Sequence, residues 1–147
     1  KFIDLDHQIE QKSGATIAQI FEFEGEPGFR IRESAALAEA LSEENQVIAT
    51  GGGAVLANEN RELMKQRGII IFLNIPPEIQ LQRLLKDTKR PLMQTPNKAQ
   101  RLQQLAEIRT PIYQECADLQ LELSSIPLSQ VRQRLLNLLT TYEHFHG

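Results

Sequence analysis

Three groups of residues in this chain have the types and spacing to do chemistry. Gly51-Gly52-Gly53 directly follows the short run Val47-Ile48-Ala49-Thr50. Glycines at that point leave backbone N–H groups open to close approach by a ligand oxygen, although a tight strand-to-helix turn would use the same residues. Asp4 and Asp6 follow the strand stub Phe2-Ile3. Strand alternation would turn both acids in similar directions, so that one carboxylate takes a proton while the other orients a metal-bound water. Asp6 could equally cap a helix beginning at His7. The third group is a set of arginines, Arg30, Arg32, Arg83, Arg90 and Arg109, several of them beside an aromatic or a breaker, as in Phe29-Arg30, Arg90-Pro91 and Arg109-Thr110-Pro111. A lone Arg is ordinarily solvated surface. Several guanidinium forks converging on one cleft, by contrast, imply an anionic ligand, because the fork binds carboxylates and phosphates bidentately.

The elements that must position these groups follow from hydrophobic periodicity. Strands are predicted near 2–4, 47–50, 69–75 and 119–123, and helices over 7–12, 15–23, 29–42, 58–67, 78–86, 99–108, 112–117 and 129–142. Residues 24–28, Glu-Gly-Glu-Pro-Gly, read as a turn. The apolar run 69–75 suits a strand covered on both faces, and Gly68 is the expected stop of the helix before it. Pro111 is expected to interrupt a helix. Strands alternating with helices argue an α/β layer fold with a mostly parallel sheet, in which ligands bind outside the carboxyl ends of the strands. Both acids and the three glycines lie at such ends.

Composition narrows the class. The chain has 147 residues, with 16 Lys+Arg against 19 Asp+Glu for a net charge of −3. That balance speaks against a protein that coats nucleic acid, and the length suits one domain over 1–147. The longest apolar stretch, Ile69 to Leu73, is far short of the roughly 20 residues of a membrane span. One cysteine, Cys116, gives no internal disulfide, so the cytoplasm is the expected compartment. Cys116 reads as a small packed hydrophobe and His144-Phe145-His146 as a polar tail.

Taken together, Phe2 to Glu10, Gly28-Phe-Arg-Ile-Arg-Glu33, Ile48-Ala-Thr-Gly-Gly-Gly-Ala-Val55, Lys89-Arg-Pro-Leu92 and Arg109-Thr-Pro-Ile-Tyr-Gln-Glu115 resemble shikimate kinase, in order and over nearly the whole chain. The resemblance implies a three-layer α/β/α, P-loop nucleoside-kinase-like fold and transfer of the ATP γ-phosphoryl group to the 3-hydroxyl of shikimate, in the chorismate pathway to aromatic amino acids. It implies that Asp6 contacts the shikimate hydroxyls and acts as base or orienter. Arg30 and Arg109 would clamp the substrate carboxylate, and Gly51, Gly52 and Gly53 would offer N–H groups to the ring hydroxyls. Glu33 would hold the arginines, Phe21 and Phe29 would wall the site, and Asp4 would help hold Mg²⁺ through water. A substrate-binding region over about 5–35 and a lid over about 87–98 are implied, with Arg90 in the lid as a catalytic and nucleotide-binding residue and Arg83 flanking the adenine. ATP and Mg²⁺ are the implied cofactors, shikimate the partner, and a monomer the expected state.

One departure from the family pattern is plain. No G-x-x-x-x-G-K-[ST] occurs; by the resemblance the phosphate-cradling loop lies about 15–20 residues before the Asp4-x-Asp6 pair, preceded by its strand, so both are expected upstream of Lys1 within roughly 30 further N-terminal residues, and residues 1–147 alone are expected to be inactive. The competing readings are a shikimate-binding relative without turnover and a kinase for another polyol acid such as gluconate.

Overall fold

A computed structural model describes residues 1–76, 79, 97–123 and 127–146. Apart from Ile79, the predicted helix 78–86 lies outside the described residues, as do Arg83, Arg90 and most of the 87–98 lid. In chain order the elements are β1 (Phe2–Asp4), α1 (Leu5–Ser13), α2 (Ile17–Leu41), β2 (Val47–Ala49), a 3₁₀ turn (Ala54–Leu56), α3 (Asn58–Arg67), β3 (Ile71–Asn74), α4 (Lys98–Cys116), β4 (Leu119–Glu122) and α5 (Leu128–His146). The class is α/β, as expected.

The strands form two parallel pairs. In one, Ile3 stands opposite Ile48; in the other, Ile71 to Asn74 run beside Leu119 to Glu122. Parallel pairing requires a crossover rather than a hairpin, and here α1 with α2 carries the chain from β1 to β2. Ile3, Leu5, Ile9, Ile17, Ile20, Phe29 and Leu37 bury one core between that pair and its helices, while Val55, Ile70 and Cys116 form a second, and Met64 packs against both. Among the described residues no helix is long and apolar enough to cross a membrane.

Local chemistry sets the joints. Thr16 accepts from the Gln19 N–H while the Gln19 side chain accepts from the Thr16 N–H, a capping box that starts α2. Glu10 Oε2 accepts from the Ile17 N–H at 3.0 Å, tying α1 to that start. The Ile70 N–H donates to Asp118 Oδ2 at 2.7 Å and fixes where β3 meets β4.

Several expectations are corrected. The turn at 24–28 is a single break: helix continues to either side of Gly25, which alone takes φ 71° and ψ −179°. Pro27 then occupies the first turn after the break, where its missing N–H costs nothing, and Arg32 spans the break to Glu24 with two hydrogen bonds of 2.8 and 2.7 Å. Pro111 does not interrupt α4, which is continuous from Lys98 to Cys116. A proline removes one hydrogen bond and bends a helix, and a long helix held at both ends tolerates that loss. Asn97 and Lys98, placed in the lid, are the cap and first residue of α4. The segment 69–75 is only partly covered: Ile69 and Leu73 are 42% and 43% exposed, and Leu73 borders the cavity described next. The C-terminal tail is helical through His146.

Candidate active site

The loop after β2 collects the chemistry. A Cβ on Gly51 would stand 3.3 Å from Glu33 Oε2 and 3.6 Å from Asp6 Oδ1; one on Gly52 would stand 2.9 Å from Arg109 Nη1 and 3.0 Å from Tyr113 Oη; one on Gly53 would collide with the Arg30 guanidinium. A side chain at 52 or 53 would therefore displace a guanidinium from the turn, whereas the backbone at Gly53, with φ −87°, is ordinary. The three glycines let Asp6 from α1, Arg30 and Glu33 from α2, and Arg109 and Tyr113 from α4 close on one turn. All of these line a cavity of about 500 Å³ that opens between β2 and β3.

Asp6 reaches the cavity by a route different from the one expected. Asp4, not Asp6, caps α1: its Oδ1 accepts from the Asp6 N–H at 3.0 Å. Asp6 therefore lies in the first helical turn, and strand alternation does not relate the two acids. Asp4 is exposed and does not line the cavity.

Arg30 is held on two sides. Its Nη1 donates to Glu33 Oε1 at 2.8 Å and its Nη2 to Glu26 Oε1 at 3.2 Å, both one helical turn away. Its guanidinium carbon lies 5.3 Å from the centre of the Phe29 ring, and Phe29 in turn packs on Phe21 with ring centres 4.8 Å apart. Glu33 is 1% exposed. Burial raises its carboxyl above the usual range, against the lowering effect of the Arg30 hydrogen bond and charge.

Arg109 and Tyr113 stand on one face of α4, four residues apart. The Tyr113 hydroxyl donates to the Gly52 carbonyl at 2.5 Å, and its ring packs on Phe72 with centres 4.8 Å apart. Arg109 Nε is buried without a hydrogen-bond partner. Burial lowers the Arg109 pKa, and the Arg30 charge lowers it further. Two guanidiniums so placed, one with an unsatisfied buried N–H, form a site that an anion would complete.

Comparison with known proteins decides the family. Residues 1–140 match the profile of the family described as shikimate kinase. The shikimate kinase of Acinetobacter baumannii (strain AYE) is 48% identical over 139 residues, which are 95% of this chain and 77% of that protein. The solved shikimate kinase from A. baumannii in complex with shikimate superposes with a TM-score of 0.92 at 47% identity, covering 96% of this chain and 79% of that one. The 1.7 Å structure of the enzyme from Bacteroides thetaiotaomicron gives 0.84 at 35% identity, covering 95% and 83%. The chain belongs to the shikimate kinase family. It is thus a member of an ATP-using phosphotransferase family with the P-loop kinase fold.

Of the residues that the family resemblance singled out, Asp6, Phe21, Phe29, Arg30, Glu33, Gly51, Gly52, Gly53 and Arg109 come together around the cavity. Tyr113 and Glu26 were not anticipated. The signal for Tyr113 was its i,i+4 spacing from Arg109, hidden by reading Pro111 as a break; Glu26 stands four residues before Arg30 and was lost in the supposed turn.

Proposed function

We propose that this chain binds shikimate in the cavity beneath the glycine turn and directs the γ-phosphoryl group of ATP to the 3-hydroxyl. What supports this most is the convergence of Asp6, Arg30, Arg109 and Gly51 to Gly53 from four separate segments onto one cavity. Shikimate carries one carboxylate and three hydroxyls. Arg30 and Arg109 offer two forks to the carboxylate, and the unpartnered Arg109 Nε–H is part of that offer. Backbone N–H groups of the glycine turn face the ring hydroxyls, with Gly52 the expected direct contact. Asp6 accepts a hydrogen bond from the attacking hydroxyl and takes its proton as the oxygen–phosphorus bond forms, while ADP leaves. Phe21 and Phe29 exclude water from one wall.

Arg90 from the lid is assigned to the transferring phosphates and Arg83 to the adenine; both lie outside the described residues. For Mg²⁺, the donor chemistry fits a water-mediated contact: Asp4 is an exposed carboxylate with one oxygen already on the Asp6 N–H, and Mg²⁺ keeps several of its waters. When bound with ATP it supplies charge neutralisation on the phosphates. We place the reaction in the cytoplasm, with the protein acting as a monomer.

A coupled assay of ADP release by the full-length protein, with shikimate and MgATP, tests this reading. Shikimate-dependent ADP release is expected. Shikimate binding with no ADP release would overturn the kinase reading in favour of a binding relative, and turnover only with gluconate would overturn the substrate.

A further inference from the structure

Tyr113 donates a side-chain hydrogen bond to the backbone of the glycine turn, and it does so from beside a substrate-clamp arginine. A peptide unit is planar and trans, so holding the Gly52 carbonyl fixes the plane of the Gly52–Gly53 peptide and with it the direction of the Gly53 N–H. The same hydroxyl oxygen has lone pairs left once its proton is given to Gly52, and it stands beside the Arg109 guanidinium, since a Cβ added at Gly52 would lie 2.9 Å from Arg109 Nη1 and 3.0 Å from Tyr113 Oη. The ring is itself fixed by Phe72 of β3 and by burial. We propose that Tyr113 is a positioning residue for shikimate, setting the glycine turn and Arg109 in register through one hydroxyl. The inference rests on the shikimate reading above.

The chemistry of the group suits the role. Burial raises the Tyr113 pKa, so the hydroxyl keeps its proton and stays a donor through the physiological range. A phenylalanine would preserve the packing on Phe72 and lose only the link between Gly52 and Arg109. The cost should therefore fall on shikimate and not on nucleotide.

The test is steady-state kinetics on the full-length protein with Tyr113→Phe. We expect KM for shikimate to rise about tenfold, the effect of one lost buried hydrogen bond, with KM for ATP and kcat within about twofold of wild type. Phe72→Leu approaches the same residue from the other side, because it removes the ring that seats Tyr113 and leaves every proposed substrate contact in place. It should give the same shikimate-specific rise if Tyr113→Phe folds poorly. Unchanged KM for shikimate in a folded Tyr113→Phe, or equal rises for shikimate and ATP in either variant, would overturn the positioning role while leaving the function intact. A wild-type protein without shikimate-dependent turnover would overturn both.

Discussion

Glu33 lies beneath the Arg30 guanidinium at 1% exposure, and burial raises its carboxyl more than the arginine lowers it. The sign of its effect on stability follows. For an acid whose folded pKa is raised, the contribution to stability is full below the ordinary carboxylate range and is lost as pH climbs through the raised value. Glu33→Gln should therefore melt at a temperature equal to or above wild type at pH 8, with the difference shrinking or reversing toward pH 4. Thermal melts at the two pH values check this, and a wild-type advantage that grows with pH would contradict it. The same variant should weaken shikimate binding, because Arg30 loses its buried partner. Asp6→Asn separates the two kinds of role at a neighbouring acid. The N-cap of α1 belongs to Asp4, so Asp6→Asn should leave the melting temperature within a few degrees and reduce kcat by about a hundredfold or more, the scale of a lost general base. Wild-type turnover in that variant would remove Asp6 from the chemistry. Residue types with unusual chemistry were readable in advance: acids at a strand end, a glycine triplet and arginines beside breakers. Tyr113 was not, because its role lies in a hydroxyl aimed at a backbone carbonyl 61 positions away, which no local pattern announces.

At the scale of elements, α2 carries the largest share of the site and contains its most constrained residue. Gly25 combines φ 71° with ψ −179°, a region essentially closed to other residues, and the helix changes course there between Phe21 and Phe29. Gly25→Ala should cost about 1–3 kcal/mol in a denaturant or thermal unfolding experiment. Gly14 is a milder case: φ is 71° but no atom lies within 4 Å of where an added Cβ would sit, so Gly14→Ala should cost less, about 1–2 kcal/mol. Equal melting of wild type and Gly25→Ala would show that the break is not held by the glycine. Periodicity and breakers located the described helices and strands, with α2 and α4 each read as two helices and the polar α3 bounded by Gly68 instead of by an apolar face. They placed two boundaries wrongly, at 24–28 and at Pro111, for one physical reason. Gly and Pro weaken a helix by amounts that tertiary contacts such as the Glu24–Arg32 pair can offset.

At the scale of the molecule, the site lies between the two strand pairs. Arg30, Glu33 and Asp6 belong to the β1–β2 pair and its helices, while Arg109 and Tyr113 belong to the helix that leads into β4. The glycine turn is where they meet. The parallel pairing of Ile3 with Ile48 and of Ile71 with Leu119 spans 45 and 48 positions, and such long-range register is set by packing and crossover geometry instead of by local residue choice. That is why class and order of elements were legible and the register of the strand pairs was not. An anionic substrate held by both arginines would bridge α2 and α4, and shikimate is the ligand proposed for that place. Calorimetric titration of shikimate into the full-length wild-type protein and into Arg109→Ala addresses this without relying on turnover. Saturable binding to wild type is expected, with a loss of about tenfold to a hundredfold in affinity for the variant, as for removal of a hydrogen bond to a charged group. Equal affinity in the two proteins would contradict the two-arginine clamp, and no binding to wild type would contradict shikimate as the ligand.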